Sequence, residues 1–262
     1  ILGPALGGLL YAFSRGPALV YAVALLASVV SVLTTLRIRM ERRPRPREPF
    51  TVRTVLAGCR YIWTHKLVLG SISLDLFAVL LGGAVALLPV YAKEILRTGP
   101  WGLGLLRSAP GVGAGVMALL IAYKPIRRRA GATMLWCVAG FGLFTIVFGF
   151  SRSLPLSMIS LLLVGAADMV SVVVRGVLIQ LDTPDEMRGR VNAVDMIFIG
   201  ASNELGEFES GLAAQWLGAV PAVVLGGAGT ILVVGLWAWL FPELRKADRL
   251  AGTKAQGRAP AP

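Results

Sequence analysis

Ile199–Gly218 reads IGASNELGEFESGLAAQWLG and sets Glu204, Glu207 and Glu209, with Asn203 beside them, among apolar and small residues. Carboxylates in such company can bind and release protons, or pair with a cation. At about 100° per residue, Gly200, Glu204, Glu207, Gly211 and Gln215 share one helix face and Asn203 borders it. Asp195, Ser202 and Glu209 fall on nearly the opposite side. Glu204 and Glu207 are one turn apart and repel when both are charged, which suits the pair to taking up and releasing a proton.

Asp75, Arg107, Asp168 and Arg175 also lie inside apolar runs. An ionised group at the centre of a spanning helix costs about 2.5–3.5 kcal/mol on insertion scales, so each marks a wet cavity or a pairing between helices. The candidates for proton coupling and cavity lining are Asp75, Asp168, Arg175, Asn203, Glu204 and Glu207; Glu209 is assigned to structure or an outer rim. Asp168 and Arg175 lie two turns apart on one face, too far for direct contact, and Asp182 or Asp185 is placed to cap Arg175. Other chemistry is poorly provided for. The sole histidine is His65, the two cysteines are Cys59 and Cys137, and neither C-x-x-C nor H-E-x-x-H occurs. No metal site, catalytic residue or cofactor is expected; a proton gradient is the expected energy source.

These residues need helices to hold them, and the composition says in what solvent. Charged residues make up 15% of the chain, against roughly 25% in a soluble domain, and the mean hydropathy is +0.73. Seven runs approach the roughly 20 apolar residues that span a bilayer: Pro17–Leu36, Val68–Tyr91, Trp101–Tyr123, Gly131–Phe150, Leu154–Ile179, Val191–Leu217 and Gly218–Phe241. A shorter stub, Ile1–Phe13, precedes them and reads as the end of a helix whose start is missing, so the chain reads as a fragment. The net charge of +12 is concentrated in alternate loops: Arg37–Lys66, Lys124–Arg129, Arg188–Arg190 and the tail after Phe241. That alternation orients a multi-pass protein with its C-terminus in the cytoplasm, and it argues against a nucleic-acid partner.

Arg39–Phe50, RMERRPRPREPF, reads as an extended charged linker. Behind it, Val52, Val55, Leu56, Cys59, Ile62 and Trp63 recur at helical spacing. That pattern fits an amphipathic helix lying on the membrane face or packed on the protein's own underside. A faint repeat pairs Gly3–Leu10 with Gly206–Ala213 and Pro17 with Pro221.

GPALGG at a helix end, a long basic central loop, six later spans and TPDEMRGRVNAV before the penultimate one together resemble the major facilitator superfamily. Within it the chain is similar to the bacterial subgroup holding the enterobactin exporter and macrolide-efflux proteins. The resemblance implies an all-α membrane bundle. Residues 1–38 would be the end of helix five and helix six, 39–66 a basic cytoplasmic linker, 67–242 a six-helix C-terminal half and 243–262 a cytoplasmic tail. Gly3, Pro4, Gly7 and Gly8 match the end of an exporter motif on helix five. Asp185, Glu186, Arg188 and Arg190 match a cytoplasmic gate motif; YKPIRRRAGA lacks that motif's acid. The implied protein is a bacterial inner-membrane exporter of an amphipathic small molecule, partnered by the bilayer, its substrate and the missing N-terminal half. A seven-span receptor or a lipid-acting membrane enzyme is the alternative. Lys66, Lys93, Lys124, Lys246 and Lys254 all fall in loops, which leaves no retinal-type Schiff base within a span.

Overall fold

Apolar runs bounded by proline, glycine and charge become helices stacked side by side. The computed structural model describes residues 6–7, 10–11, 13–14, 17–37, 52–126 and 129–247. Gly3, Pro4, Gly8, the linker 39–51 and the tail beyond 247 lie outside them. The helices are α1 (Ala18–Leu36), α2 (Val52–Thr64), α3 (Lys66–Leu81), α4 (Gly99–Tyr123), α5 (Ala130–Phe150), α6 (Leu154–Asp182), α7 (Asp185–Leu217), α8 (Ala219–Leu240) and the short α9 (Pro242–Lys246). Pro100, Pro155 and Pro242 sit in first turns, where a missing N–H costs no helix bond.

Among the described residues, six helical rods are long and apolar enough to cross a membrane: α1, Lys66–Ile95, α4, α5, α6 and α8. The seventh expected span lies within α7, which has the length at 33 residues but carries four acids after Val191. The DEMRGRV stretch, expected as a loop before this helix, forms its opening turns. Asp185 and Glu186 there complement the positive end of the helix dipole. α1 is apolar all round and none of its residues is buried, as suits a helix whose neighbours are lipid or protein beyond the described residues. Its Ser28, Thr34 and Thr35 hydroxyls donate to carbonyls one turn back, which satisfies them where water is scarce.

Helices in lipid gain little from hiding apolar surface and associate by close packing, which favours small residues at contacts. α4 meets α6 where a Cβ on Gly113 would strike the Leu162 carbonyl and one on Gly165 the Pro110 carbonyl. The second close approach breaks a helix. After Leu81 the rod passes through Gly82–Gly83 into a 3-10 turn (Ala84–Leu87), a short α turn (Leu88–Val90) and a π turn (Tyr91–Ile95). Pro89 has no N–H to give a regular ladder. A side chain on Gly83 would lie 2.6 Å from the Gly206 carbonyl of α7.

Polar ties fix these contacts. Tyr91 donates to the Gly149 carbonyl at 2.9 Å and stacks on Phe148, so the far end of the α3 rod is pinned to the end of α5. Thr230 of α8 donates to the Ala78 carbonyl at 3.2 Å, and the Trp237 indole donates to Ser73 at 3.0 Å.

Among the described residues the packing falls into three apolar clusters. Leu74, Met134, Val138, Val174 and Leu244 fill the half of the bundle nearer α9; Leu88, Tyr91, Leu106, Phe148 and Leu161 fill the other. The third cluster, Ile62, Val68, Ile72, Ile179, Val191 and Val194, lies beneath α2. Ile62 is fully buried there, and the Tyr61 hydroxyl donates to the Asp182 carbonyl at 2.7 Å. Of the two placements open to α2, the structure has the helix on the protein's own underside. Leu56 and Trp63 face outward.

Candidate functional site

Arg175 lies in the last third of α6, two turns before its end at Asp182, and is only 4% exposed. A guanidinium so placed needs anions, and two neighbouring helices supply them. Its Nη1 is 2.7 Å from Asp75 Oδ2 of α3 and 3.3 Å from Asp195 Oδ1 of α7. Asp75 is as buried as the arginine, while the Asp195 side chain retains 15% exposure. One nitrogen thus bridges carboxylates from two helices while standing on a third. The closer, drier pair is the stronger, since attraction between charges rises as distance and local dielectric fall.

Asp168 stands two turns before Arg175 on α6. It does not pair with the arginine, as expected from the spacing, but it lines a small void together with Asp75, Ser171, Val138 and Phe141. The void measures about 10 Å³, close to the least space that holds one water. Two carboxylates therefore hold one guanidinium, and a third lies beside the nearer of them. Such a cluster can gain or lose a proton while Arg175 keeps a partner.

The sequence located Asp75, Asp168 and Arg175 but not their arrangement. Asp182 and Asp185, the acids expected to cap Arg175, do other work. Asp182 accepts the Tyr61 bond through its carbonyl. Asp185 pairs with Arg188 at 2.5 Å on the surface. Arg188 Nε also donates to the Gln180 carbonyl at 3.0 Å, and Arg190 contacts the Met187 sulfur at 3.5 Å. Glu186 is exposed. The gate motif thus forms a joint between the end of α6 and the start of α7.

Asn203, Glu204 and Glu207 are exposed, as is Glu209. They do not reach the Arg175 cluster. The face of α7 that packs inward runs through Val191, Val194, Ser202, Gly206 and Ser210, and the glutamate stripe is turned away from it. Asp195, which lies nearly opposite Glu204 and Glu207 on the helix and is not among the residues expected to couple protons, shares the inward side. Its signal was the small-residue spacing of Ser202, Gly206 and Ser210, which marks a helix contact in lipid. Of the helix-five motif, Gly7 alone is described. It borders a cavity formed with the α3 rod and α4. Among the described residues no cluster of His, Cys, Asp and Glu has metal-binding geometry.

Comparison with known proteins bears on the whole chain. The family pattern described as transmembrane secretion effector matches residues 1–261. The chain is 28% identical to the enterobactin exporter of Citrobacter koseri over 247 residues, covering 94% of this chain and 59% of that protein. It is 27% identical to the enterobactin exporter of Escherichia coli O81 and 26% to that of Shigella boydii serotype 18, with the same coverage. The chain therefore spans 59% of the length of these relatives. An all-α bundle of membrane-crossing rods, matched along nearly its full length by this pattern, belongs to the transmembrane secretion effector family of the major facilitator superfamily.

Proposed function

We propose that the intact protein is a proton-coupled exporter of an amphipathic small molecule, working by alternating access in a bacterial inner membrane. Its basic end, with α2 and α9, faces the cytoplasm. The observation that carries the coupling is the buried Arg175 bridging Asp75 and Asp195, with Asp168 alongside. A proton arriving on Asp75 weakens its hold on the guanidinium, which then leans on Asp195. Loss of the proton restores the first pairing. The exchange shifts attraction from the α3–α6 contact to the α6–α7 contact, and so biases two arrangements of the same helices. Ionisable groups inside a membrane are suited to such a relay because a change of protonation there is worth several kcal/mol. Export, and not uptake, is the direction that the relatives support, since they are named as exporters. Membership in a transporter family also favours this reading over a receptor or a lipid-acting enzyme.

Efflux from cells producing the intact protein tests this, with enterobactin as the first cargo. Asp75→Asn is expected to abolish accumulation against a gradient while leaving downhill movement, and a protonophore is expected to do the same to the wild type. Uphill efflux that survives the protonophore rejects proton coupling. Uphill efflux by Asp75→Asn moves the coupling site elsewhere.

A further inference from the structure

At the end of the bundle opposite α2, a cavity of about 620 Å³ opens between the start of the chain and the α3–α4 junction. That volume lies in the range of small-molecule sites, roughly 300–1,000 Å³. Tyr11, Pro89, Pro100 and Leu103 contribute apolar walls, and Lys93 and Arg107 contribute charge; among the described residues no carboxylate lines it. Among the described residues, neither cation forms an ion pair. Arg107 belongs to the third turn of a membrane-spanning helix, where an unpaired cation is costly unless it meets an anion. Lys93, expected in a loop, instead lies within the π turn that ends the Lys66–Ile95 rod, a local widening that often marks functional positions. Its base is fixed, because neighbouring Tyr91 and Ala92 are buried and Tyr91 is bonded to α5.

We infer that this cavity binds an amphipathic organic anion, with its apolar body against Pro89, Pro100, Leu103 and Tyr11 and its charge between Lys93 and Arg107. Two cations that no described acid neutralises, beside an apolar wall, select against neutral and cationic molecules of the same shape. The ligand's role as departing cargo rests on the exporter reading; the existence of the site does not. Binding is an equilibrium property that needs neither a gradient nor Asp75. Failure of coupling in Asp75→Asn would leave it intact, and failure of binding here would leave coupling intact.

The test is calorimetric titration of the purified intact protein in amphipol, against empty amphipol, with naphthalenesulfonate, naphthalenemethanol and naphthalenemethylamine. These probes share one apolar body and are anionic, neutral and cationic. The sulfonate is expected to bind about tenfold more tightly than the alcohol, as a charge-assisted contact provides, and the amine more weakly still. The double variant Lys93→Gln/Arg107→Gln should lose the preference, and Arg107→Lys should keep most of it. Leu103→Trp, which fills the cavity and spares both cations, should weaken sulfonate and alcohol alike. Equal affinity for the three probes, or a preference that survives the double variant, overturns the proposal. If the double variant fails to fold, Leu103→Trp decides: unchanged sulfonate binding places the probe elsewhere and rejects the site.

Discussion

Helix α7 carries acids on two sides, and the two sides live in different surroundings. Asp195 turns inward and joins Asp75 at Arg175; Glu204, Glu207 and Glu209 turn outward on the same helix and contact none of that cluster. The same functional group is an internal counter-ion in one place and an exposed surface charge in the other. What separates them is which stripe of the helix is slim enough to press against α3. Ser202, Gly206 and Ser210 are, and every acid follows from that rotation. An acid in an apolar sequence therefore marks no site until the packing face of its helix is known.

This contrast can be broken most severely at its centre. Arg175→Met should strand the buried Asp75 and the half-buried Asp195 and destabilise the protein by about 3–5 kcal/mol, as loss of one partner of a buried pair does. Thermal unfolding of the purified intact protein, with yield as a second readout, checks this; a midpoint like that of wild type would show that the cluster is not closed as described. Gly206→Leu attacks the rotation itself by driving a side chain into the Val79 and Leu80 carbonyls. Overpacking of this kind should cost about 1–3 kcal/mol or more, and Gly200→Leu, whose Cβ would meet nothing, is the matched control.

Smaller effects sharpen the comparison. Asp195→Asn should cost about 1.5–3 kcal/mol, the range for a bond to a charged group, and less than Asp75→Asn because its contact is longer and wetter. The ranking of the two melting points is the test, and the reverse order would make Asp195 the principal partner. At the bottom of the scale, Glu204→Gln with Glu207→Gln should change stability by no more than about 0.5 kcal/mol, as exposed substitutions do. A large loss would show that a partner outside the described residues holds the stripe.

Much of the scaffold was legible from residue types. Six of the seven expected runs became rods able to span a membrane, with ends displaced by a few residues where prolines and caps set them. The break after Leu81 could be anticipated from Gly82, Gly83 and Pro89, although its 3-10 and π turns could not. The site was half legible. Asp75, Asp168 and Arg175 stood out because charge is costly in lipid, but a helical wheel gives only relative angles. Nothing in the wheel says which side turns inward when both sides are apolar enough for a bilayer. That is why the glutamates looked central and Asp195 did not. The fate of α2 was undecidable for a similar reason: its apolar stripe fits lipid as well as protein, and the pairing of Tyr61 with Asp182 is a long-range fact.

The interrupted rod after Leu81 has a mechanical consequence. Its joint is spanned by short local bonds, from Ala84 N–H to Gly82 O at 2.6 Å and from Ala86 N–H to Gly83 O at 3.2 Å, in place of a continuous ladder. A stiff shaft would carry any tilt produced near Asp75 straight through to Tyr91. A jointed one breaks that line: Tyr91 moors the upper arm to α5 while Thr230 and Trp237 moor the lower arm to α8, so the two ends of this helix answer to different neighbours.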